Sequence, residues 1–368
     1  MAELLINQYL TPDFVDKLDV SLSETYSKWN SENFKALVYD DDWDNRALKQ
    51  RMSHLALCLQ KSLPADYLEA LEILKQVCVH FSGLNGMVFS DFVEQFGQDH
   101  LEESLVALEL FTQHGSGEFA IRPFIQEREA LVMAKMLEWS KHENYHVRRL
   151  ASEGCRSRLP WAMALPRFKK DPSLIFPVLE NLKDDPEEYV RKSVANNLND
   201  LTKDNPDQVL DILKQWNKKP TKGTSWIIKH GLRGLVKSGN QRALKLLGFK
   251  RAKIMLLDFK IHTPKVVFGE ELVFSFDLRN DGQTDVSVVV DYEIHFMKAN
   301  GTLAPKVFKI KNLRLKKGEK ASLEKIHSIR PITTRKYYPG VQKVGVQVNG
   351  KVLGLEEFEL VMEGDIES

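Results

Sequence analysis

The stretch DDPEEYVRKSVANNL, Asp184–Leu198, combines a turn signal with the start of a helix. Its Asp-Pro pair marks a turn, and the Val-Arg pair that begins at Val190 opens an amphipathic helix. A turn followed by a helix of this kind is the usual layout of one unit in an array of helical repeats. The stretch therefore predicts similar units elsewhere in the chain.

Two other stretches repeat this layout. YHVRRLASEGCRSRL begins its Val-Arg pair at Val147, 43 residues before Val190. A degenerate copy, SWIIKHGLRGLVKSG, has Ile227 at the same place, 37 residues after Val190. A period near 40 residues with paired helices is typical of a HEAT-like solenoid. The second helices of such repeats line a concave surface, so we expect the three Val-Arg helices to share one face.

The hydrophobic pattern of the chain changes at about Lys253. Before it, apolar residues recur at the three- and four-residue steps of helices; after it they alternate, as in ELVFSFDLRN, Glu271–Asn280. Turn signals such as NDGQ and KKGE separate six or seven short strands, which is typical of an immunoglobulin-like β-sandwich. We predict a multidomain α + β protein, with a HEAT-like α-solenoid over residues 1–250 and an immunoglobulin-like β-sandwich over residues 254–368.

Charge is distributed unevenly along the chain, although the formal net charge is only +1. Residues 1–130 carry a net charge of −12, whereas residues 203–253 carry +10. Such a basic excess indicates a surface that binds a polyanion, and a solvated lysine-rich surface is the alternative. The candidate phosphate contacts are chosen by their charge and by the face that the three Val-Arg helices share. They are Arg148, Arg149, Arg156, Arg191, Lys192, Lys229 and Arg233.

Several classes of protein are not indicated. No apolar run reaches the roughly 18 residues that cross a bilayer, and the start MAELLINQYL lacks the basic and apolar regions of a secretion signal. Cys58, Cys78 and Cys155 have no ligand spacing and suggest reduced thiols in a cytoplasmic protein. Neither GSGE nor the pair His142 and His146 has the context that nucleotide or metal binding requires, so we expect no cofactor and no metal.

Four side chains near the basic face are candidates for chemistry, and each has an ordinary structural explanation. Glu153 lies four residues after Arg149 and three before Arg156, which fits a helix salt bridge worth about 0.3–0.5 kcal/mol. Asp200 fits a residue in the last turn of a helix, and Glu118 fits a partner of a helix dipole. Trp161 fits an anchor in the core.

Four stretches resemble the AlkC branch of the AlkC/AlkD HEAT-repeat DNA glycosylases. They are HLEESLVALELFTQHGSGEFAIRPFI, HVRRLASEGCRSRLPWA, EYVRKSVANNLNDL and WIIKHGLRGLVK, in the family's order within residues 80–249. One AlkC subgroup carries an appended immunoglobulin-like domain. The resemblance implies a monofunctional glycosylase of base excision repair that removes 3-methyladenine and 3-methylcytosine from double-stranded DNA. It also implies that the damaged base is not flipped but held in a sharply bent duplex.

The resemblance also implies roles for individual residues. The acidic residues of the family fall on Glu118, Glu153 and Asp200, and its aromatic residue falls on Trp161. Asp200 and Glu153 would be the principal electrostatic stabilisers and water positioners, Glu118 a supporting carboxylate, and Trp161 a contact to the lesion nucleotide. Arg233 stands where AlkD has a tryptophan, which argues against an aromatic clamp of the AlkD type.

The chemistry of the lesion fits a carboxylate site. An N3-alkylated base is cationic and leaves easily, and bond breaking leaves positive charge on the deoxyribose, which carboxylates stabilise while they orient a water. Two other functions remain open: a non-catalytic protein for bent or branched DNA, and a protein–protein scaffold. We expect a monomer in the bacterial cytoplasm, associated with the nucleoid when bound to DNA.

Overall fold

The structure, a computed structural model, describes residues 8–333 and 335–362 of the 368-residue chain. Residues 1–7 of the predicted solenoid and residues 363–368 of the predicted sandwich lie outside the described residues. The absence of a secretion signal was predicted from MAELLINQYL, most of which lies outside them too. Within the described part, sixteen α-helices precede eight β-strands. This order confirms the predicted fold class.

The helices are short, and we number them in chain order. They are α1 (Pro12–Thr25), α2 (Ser31–Val38), α3 (Leu48–Ser62), α4 (Tyr67–Val77), α5 (Gly83–Phe96), α6 (Leu101–Phe111), α7 (Ile121–Glu127), α8 (Glu129–Trp139), α9 (Tyr145–Glu153), α10 (Pro166–Lys170), α11 (Phe176–Leu182), α12 (Glu188–Leu201), α13 (Pro206–Trp216), α14 (Lys222–Gly231), α15 (Arg233–Lys237) and α16 (Gln241–Leu246). Over the described ranges, none of these helices combines the length and the apolar character needed to cross a bilayer.

The three Val-Arg helices are α9, α12 and α14. Val147, Val190 and Ile227 are fully buried, which makes the repeated apolar position a core position. Helix α9 packs on α12, and α12 packs on α14. The three repeated stretches therefore lie side by side, as the sequence predicts.

In α9 and α12, the arginine of the Val-Arg pair connects the helix to the turn that precedes it. Nη1 of Arg148 donates to the carbonyls of the residues six and five positions earlier, at 2.9 and 2.7 Å. Nη1 of Arg191 donates to the corresponding two carbonyls at 2.7 and 2.6 Å. Because each arginine binds two carbonyls of the turn at once, it stabilises the turn between helices.

The strands form two sheets. They are β1 (Ile254–Ile261), β2 (Lys265–Val267), β3 (Glu271–Asn280), β4 (Val286–Met297), β5 (Leu303–Leu315), β6 (Lys320–Ser328), β7 (Gly340–Val348) and β8 (Lys351–Val361). One sheet has the order β1-β3-β6 and the other β2-β8-β7-β4-β5, antiparallel apart from the β2–β8 pair. Alternate side chains such as Phe274, Phe276 and Ile294 fill the core between the sheets.

Packing divides the chain at a different place from the change in secondary structure. Residues 8–209 and 218–231 form one compact unit, and residues 210–217 and 232–362 form the other. In the second unit, Nε2 of Gln347 in β7 donates to the carbonyl of Lys237 at the end of α15, at 2.6 Å. The last short helices thus pack with the sandwich, although β1 begins only at Ile254. The predicted boundary at residues 250–254 stays a prediction.

Candidate active site

Three carboxylates and two arginines form a continuous chain of ion pairs in the first unit. Nη1 of Arg149 lies 3.0 Å from Oε2 of Glu118, and its Nη2 lies 3.6 Å from Oε1 of Glu153. Nη1 of Arg156 donates to the same oxygen of Glu153 at 2.7 Å. Nε and Nη2 of Arg156 both donate to Oδ2 of Asp200, at 2.9 and 2.8 Å. We call these five residues the ion-pair chain.

The repeat packing brings the two helical carboxylates together. Glu153 is the last residue of α9, and Asp200 lies in the last turn of the neighbouring helix α12. Arg156 follows α9 in a turn and reaches a residue 44 positions later in the sequence. The salt bridges that the sequence predicts for Glu153 are present, and Arg156 extends them to Asp200 in the next repeat.

A glycine loop places the third carboxylate. A Cβ atom on Gly115 would lie 2.1 Å from the carbonyl carbon of Gly86 in α5, so the loop before α7 approaches α5 at a distance that only glycine allows. The loop continues through Ser116, whose hydroxyl accepts a hydrogen bond from Nη1 of Arg149 at 2.5 Å, to Glu118. The GSGE stretch therefore serves close packing and the placement of Glu118.

The ion-pair chain is largely removed from solvent. The side chains of Glu118, Glu153 and Asp200 are 11%, 7% and 4% exposed. Burial lowers the pKa of Arg149, but the negative charges of Glu118 and Glu153 outweigh that effect and raise the pKa above its usual value. Arg156 behaves in the same way: burial opposes the rise of its pKa, and the charges of Glu153 and Asp200 produce it. Both guanidiniums are therefore firmly charged.

Stability alone does not account for such a chain. Replacing buried ion pairs with apolar residues of similar volume is often neutral or stabilising, because the desolvation of the charges offsets their attraction. Buried groups of opposite charge that are held in fixed positions are, in contrast, typical of sites where charge develops during a reaction. The geometry therefore fits a site that stabilises a cation.

Further side chains orient the carboxylates, and sequence reasoning did not identify them. The hydroxyl of Ser193 donates to Oε2 of Glu153 at 2.6 Å, and Nζ of Lys203 lies 3.1 Å from Oδ1 of Asp200. The guanidinium of Arg149 lies 4.8 Å from the ring centroid of Tyr189. Ser193 stands 40 residues after Glu153, which is close to one repeat period. This spacing is the signal in the sequence that could have predicted the contact between them.

One carboxylate oxygen of the ion-pair chain differs from the others. Each oxygen of Glu153 and of Asp200 accepts at least one hydrogen bond or ion pair. Oε1 of Glu118 has no such donor among the described residues, and it is not one of the enclosed atoms without a partner. An anionic oxygen with free lone pairs is thus available at the Glu118 end of the chain.

Trp161 is not a core residue. Its side chain is 65% exposed, and its backbone has φ +63°, in the left-handed region that a bulky residue rarely adopts. That conformation costs on the order of 1 kcal/mol or more. The explanation of Trp161 as a core anchor is therefore wrong, and an exposed ring on a strained backbone is typical of functional positions.

The candidate phosphate contacts fall into two groups. Arg148, Arg149 and Arg156 are directed towards protein groups: Nε of Arg148 lies 2.6 Å from Oδ2 of the buried Asp185, and the other two belong to the ion-pair chain. The second group lies outside the ion-pair chain: Lys192 and Lys229 are exposed, Arg233 is half-buried, and Arg191, also half-buried, binds two carbonyls of its own turn. Lys192 forms a 2.7 Å ion pair with Glu188 on its own helix.

The histidine pair does not lie on one helix. Helix α9 begins at Tyr145, so His142 lies in the preceding turn, where its Nδ1 accepts a hydrogen bond from the backbone of Asn144 at 3.0 Å. In the part of the chain that the structure describes, no group of three or more potential ligands is placed to hold a metal ion.

Comparisons with known proteins match both parts of the chain. The family described as DNA alkylation repair enzyme matches residues 115–235, the region that holds the ion-pair chain and Trp161. The family described as the C-terminal Ig-like domain of the uncharacterised protein YhaZ matches residues 256–362. The uncharacterized protein YhaZ of Bacillus subtilis (strain 168) is 42% identical over 361 residues, which cover 98% of this chain and 100% of that protein.

A solved structure matches almost the whole chain. The alkylpurine DNA glycosylase AlkC of Pseudomonas fluorescens, bound to DNA containing an abasic site analog, is 38% identical; the match covers 96% of this chain and 98% of that one, with a TM-score of 0.90. This chain belongs to the AlkC family. It has the AlkC subgroup's C-terminal Ig-like domain and a DNA alkylation repair domain, which confirms the family that the sequence motifs predicted.

Proposed function

We propose that this protein is a DNA glycosylase that hydrolyses the N-glycosidic bond of cationic N3-alkylated bases, 3-methyladenine and 3-methylcytosine, in double-stranded DNA. The observation that carries the proposal is the ion-pair chain, which joins the three acidic positions of the AlkC motifs in one buried cluster. The AlkC structure bound to DNA supports DNA as the partner.

The reaction needs little beyond charge stabilisation and a water. The C1′–N bond breaks with its electron pair moving to the base, which leaves as a neutral molecule, and the deoxyribose becomes an oxocarbenium ion. Water adds to C1′ and loses a proton to a carboxylate. One carboxylate about 4 Å from that cation, at an effective dielectric near 20, is worth roughly 4 kcal/mol, or about three decades of rate.

The contacts suggest a division of work among the carboxylates. The open Oε1 of Glu118 is suited to accept the proton of the attacking water, because no donor from the described ranges of the chain occupies it. Glu153 and Asp200, held by Arg156, Ser193 and Lys203, are suited to supply fixed negative charge. The sequence motifs alone favoured Asp200 and Glu153 for both tasks.

We assign the basic residues accordingly. Arg149 and Arg156 hold the carboxylates, and Arg148 holds a turn and Asp185, so these three act on the protein. Lys192 and Lys229, which are exposed, are the better candidates for DNA phosphates. Arg191, whose Nη1 binds two carbonyls of its own turn, and the half-buried Arg233 are secondary candidates. The exposed ring of Trp161 offers a stacking surface for the lesion nucleotide, so that a flipped base is not required.

A base-release assay tests the proposal. The protein is incubated with methylated double-stranded DNA and, in parallel, with DNA that contains uracil, whose neutral ring is a poor leaving group. We expect free 3-methyladenine and 3-methylcytosine and new abasic sites in the first sample, and no release of uracil in the second. Salt-sensitive DNA binding without release would indicate the non-catalytic DNA-binding function, and the absence of DNA binding would favour the scaffold.

We also propose that the protein acts as a monomer in the cytoplasm. Its three cysteines are buried free thiols, which fits a reducing compartment. Light scattering of the purified protein measures its mass, and a mass twice that of the chain would contradict the monomer.

A further inference from the structure

Two cations hold the backbone at and around the exposed tryptophan. We call residues 154–163, which follow α9, the Trp161 loop. Nζ of Lys49 in α3 donates to the carbonyl of Trp161 itself, at 2.9 Å and across 112 positions of sequence. The same Nζ lies 4.5 Å from the ring centroid of Phe119, so the ammonium group is fixed from two directions.

Arg122 holds the two ends of the Trp161 loop. It lies in the first turn of α7, and none of its surface is exposed. Its Nη1 donates to the carbonyl of Gly154 at 2.8 Å, and its Nε donates to the carbonyl of Met163 at 2.7 Å. The planar guanidinium therefore spans the first and last residues of the loop, with a geometry that a lysine cannot reproduce.

The burial of Arg122 is unfavourable by itself. Among the described residues it forms no ion pair, and its Nη2 is enclosed without a hydrogen-bond partner. Burial lowers the pKa of Arg122 to about 10. An unpaired buried cation is costly, so it is retained where its hydrogen bonds define a conformation that the protein needs.

The conformation that these bonds define is a strained one. Trp161 has φ +63° and is the most exposed of the tryptophans, so its own packing does not keep it in the left-handed region. Such strain persists only when surrounding contacts determine the backbone. Lys49 binds the strained residue directly, and Arg122 fixes the residues on either side of it.

We propose that Lys49 and Arg122 are positioning residues, which hold Trp161 in its strained conformation so that the ring projects from the surface where the lesion nucleotide binds. The proposal rests on the proposed function for its consequence in catalysis. Its structural part, that Lys49 and Arg122 determine the conformation of Trp161, can be measured without activity.

Fluorine NMR tests the structural part. The six tryptophans are replaced by 5-fluorotryptophan, and the Trp161 signal is assigned by its loss in Trp161→Phe. We expect Lys49→Met to shift or broaden the Trp161 signal and to leave the other five in place. Lys75→Met, which removes a lysine paired with Glu72 on the surface of α4, is the matched control. A Trp161 signal that stays unchanged in Lys49→Met would overturn the proposal.

A double-mutant cycle tests the catalytic part and separates positioning from phosphate binding. We expect Lys49→Met to lower the rate of base release roughly tenfold in the natural background and to have no effect in Trp161→Ala, because a positioning residue acts only through the ring. Equal losses in both backgrounds would show that Lys49 acts independently, and would contradict the proposal.

The same cycle is repeated at the second cation. Arg122→Lys keeps the positive charge but loses the planar guanidinium that binds two carbonyls. We therefore expect this variant to shift the Trp161 signal, and to have no effect on the rate of base release in the Trp161→Ala background. If this variant does not fold, Lys49→Met decides alone. If the natural protein releases no base while the Trp161 signal responds as expected, the proposed function fails and the positioning of Trp161 stands.

Discussion

Nε and Nη2 of Arg156 converge on a single oxygen of Asp200, at 2.9 and 2.8 Å, although the two residues are 44 positions apart. One helical repeat thereby fixes a carboxylate that the next repeat supplies. Charge-assisted hydrogen bonds of this kind are strong and directional. The carboxylate of Asp200 therefore keeps its position without help from a substrate, as a preorganised electrostatic site requires.

Removal of the charge of Asp200 should abolish most of the activity. Asp200→Asn keeps an oxygen for Arg156 but loses the negative charge, so we expect the rate of base release to fall by about three decades. Asp204→Asn is the control, because Asp204 lies one turn later and forms its ion pair with Arg158 near the surface. Single-turnover assays compare the two, and a full rate in a folded Asp200→Asn protein would remove Asp200 from the site.

Glu153 requires a more careful substitution than the sequence suggests. An exposed helix salt bridge would contribute only a few tenths of a kcal/mol, but Glu153 is buried between Arg149 and Arg156. We therefore expect Glu153→Ala to lower the free energy of unfolding by about 3–5 kcal/mol, since it leaves buried cations without their partner. Urea denaturation measures this loss.

Glu153→Gln separates the catalytic role of Glu153 from its structural one. The amide keeps the shape of the side chain and an acceptor for Arg156, so we expect it to destabilise the fold by roughly 1–3 kcal/mol, less than Glu153→Ala does. We expect its rate of base release to fall by orders of magnitude. A rate that follows only the fraction of folded protein would assign Glu153 a purely structural role.

Salt dependence should distinguish the two groups of basic residues. We expect Lys229→Gln to weaken DNA binding and to reduce the slope of log K against log salt by about 0.9, because one phosphate contact is lost. Arg148→Gln should instead destabilise the fold, since Arg148 pairs with the buried Asp185 and caps a turn. Binding titrations at several salt concentrations, with unfolding curves for both variants, give the comparison; an unchanged slope in Lys229→Gln would exclude it as a phosphate contact.

Glu94 makes stability depend on pH. Burial, with a smaller contribution from the charge of Asp91, raises the pKa of Glu94 from 4.5 to about 6. The folded state thus holds this proton more tightly than the unfolded state, and the penalty on stability appears as pH rises from about 4.5 to 6 and then stays constant. We expect Glu94→Gln to stabilise the protein by about 2 kcal/mol above pH 7 and to give no gain near pH 4. Thermal unfolding at both pH values measures the difference, and an equal gain at both would contradict the assignment.

The local pattern of the sequence was sufficient for the fold class, whereas the family followed from the resemblance of four stretches to AlkC motifs. The spacing of Val147, Val190 and Ile227 reports a repeated buried position, and the alternation after Lys253 reports strands with one buried face. Both signals are local, because helix and strand periodicity follow from the backbone geometry of a few consecutive residues. The same spacing did not reveal that Arg148 and Arg191 bind the carbonyls of their own turns.

The sequence by itself determined which acidic residues belong to the candidate site, since Glu118, Glu153 and Asp200 stand in the motifs of the family. Only the tertiary structure decided that Arg149 also binds Glu118 and Arg156 also binds Asp200, that Glu118 keeps an open oxygen, and that Trp161 is exposed on a strained backbone. The physical reason is that burial and ion pairing depend on contacts between residues 31 to 112 positions apart, which no local periodicity encodes.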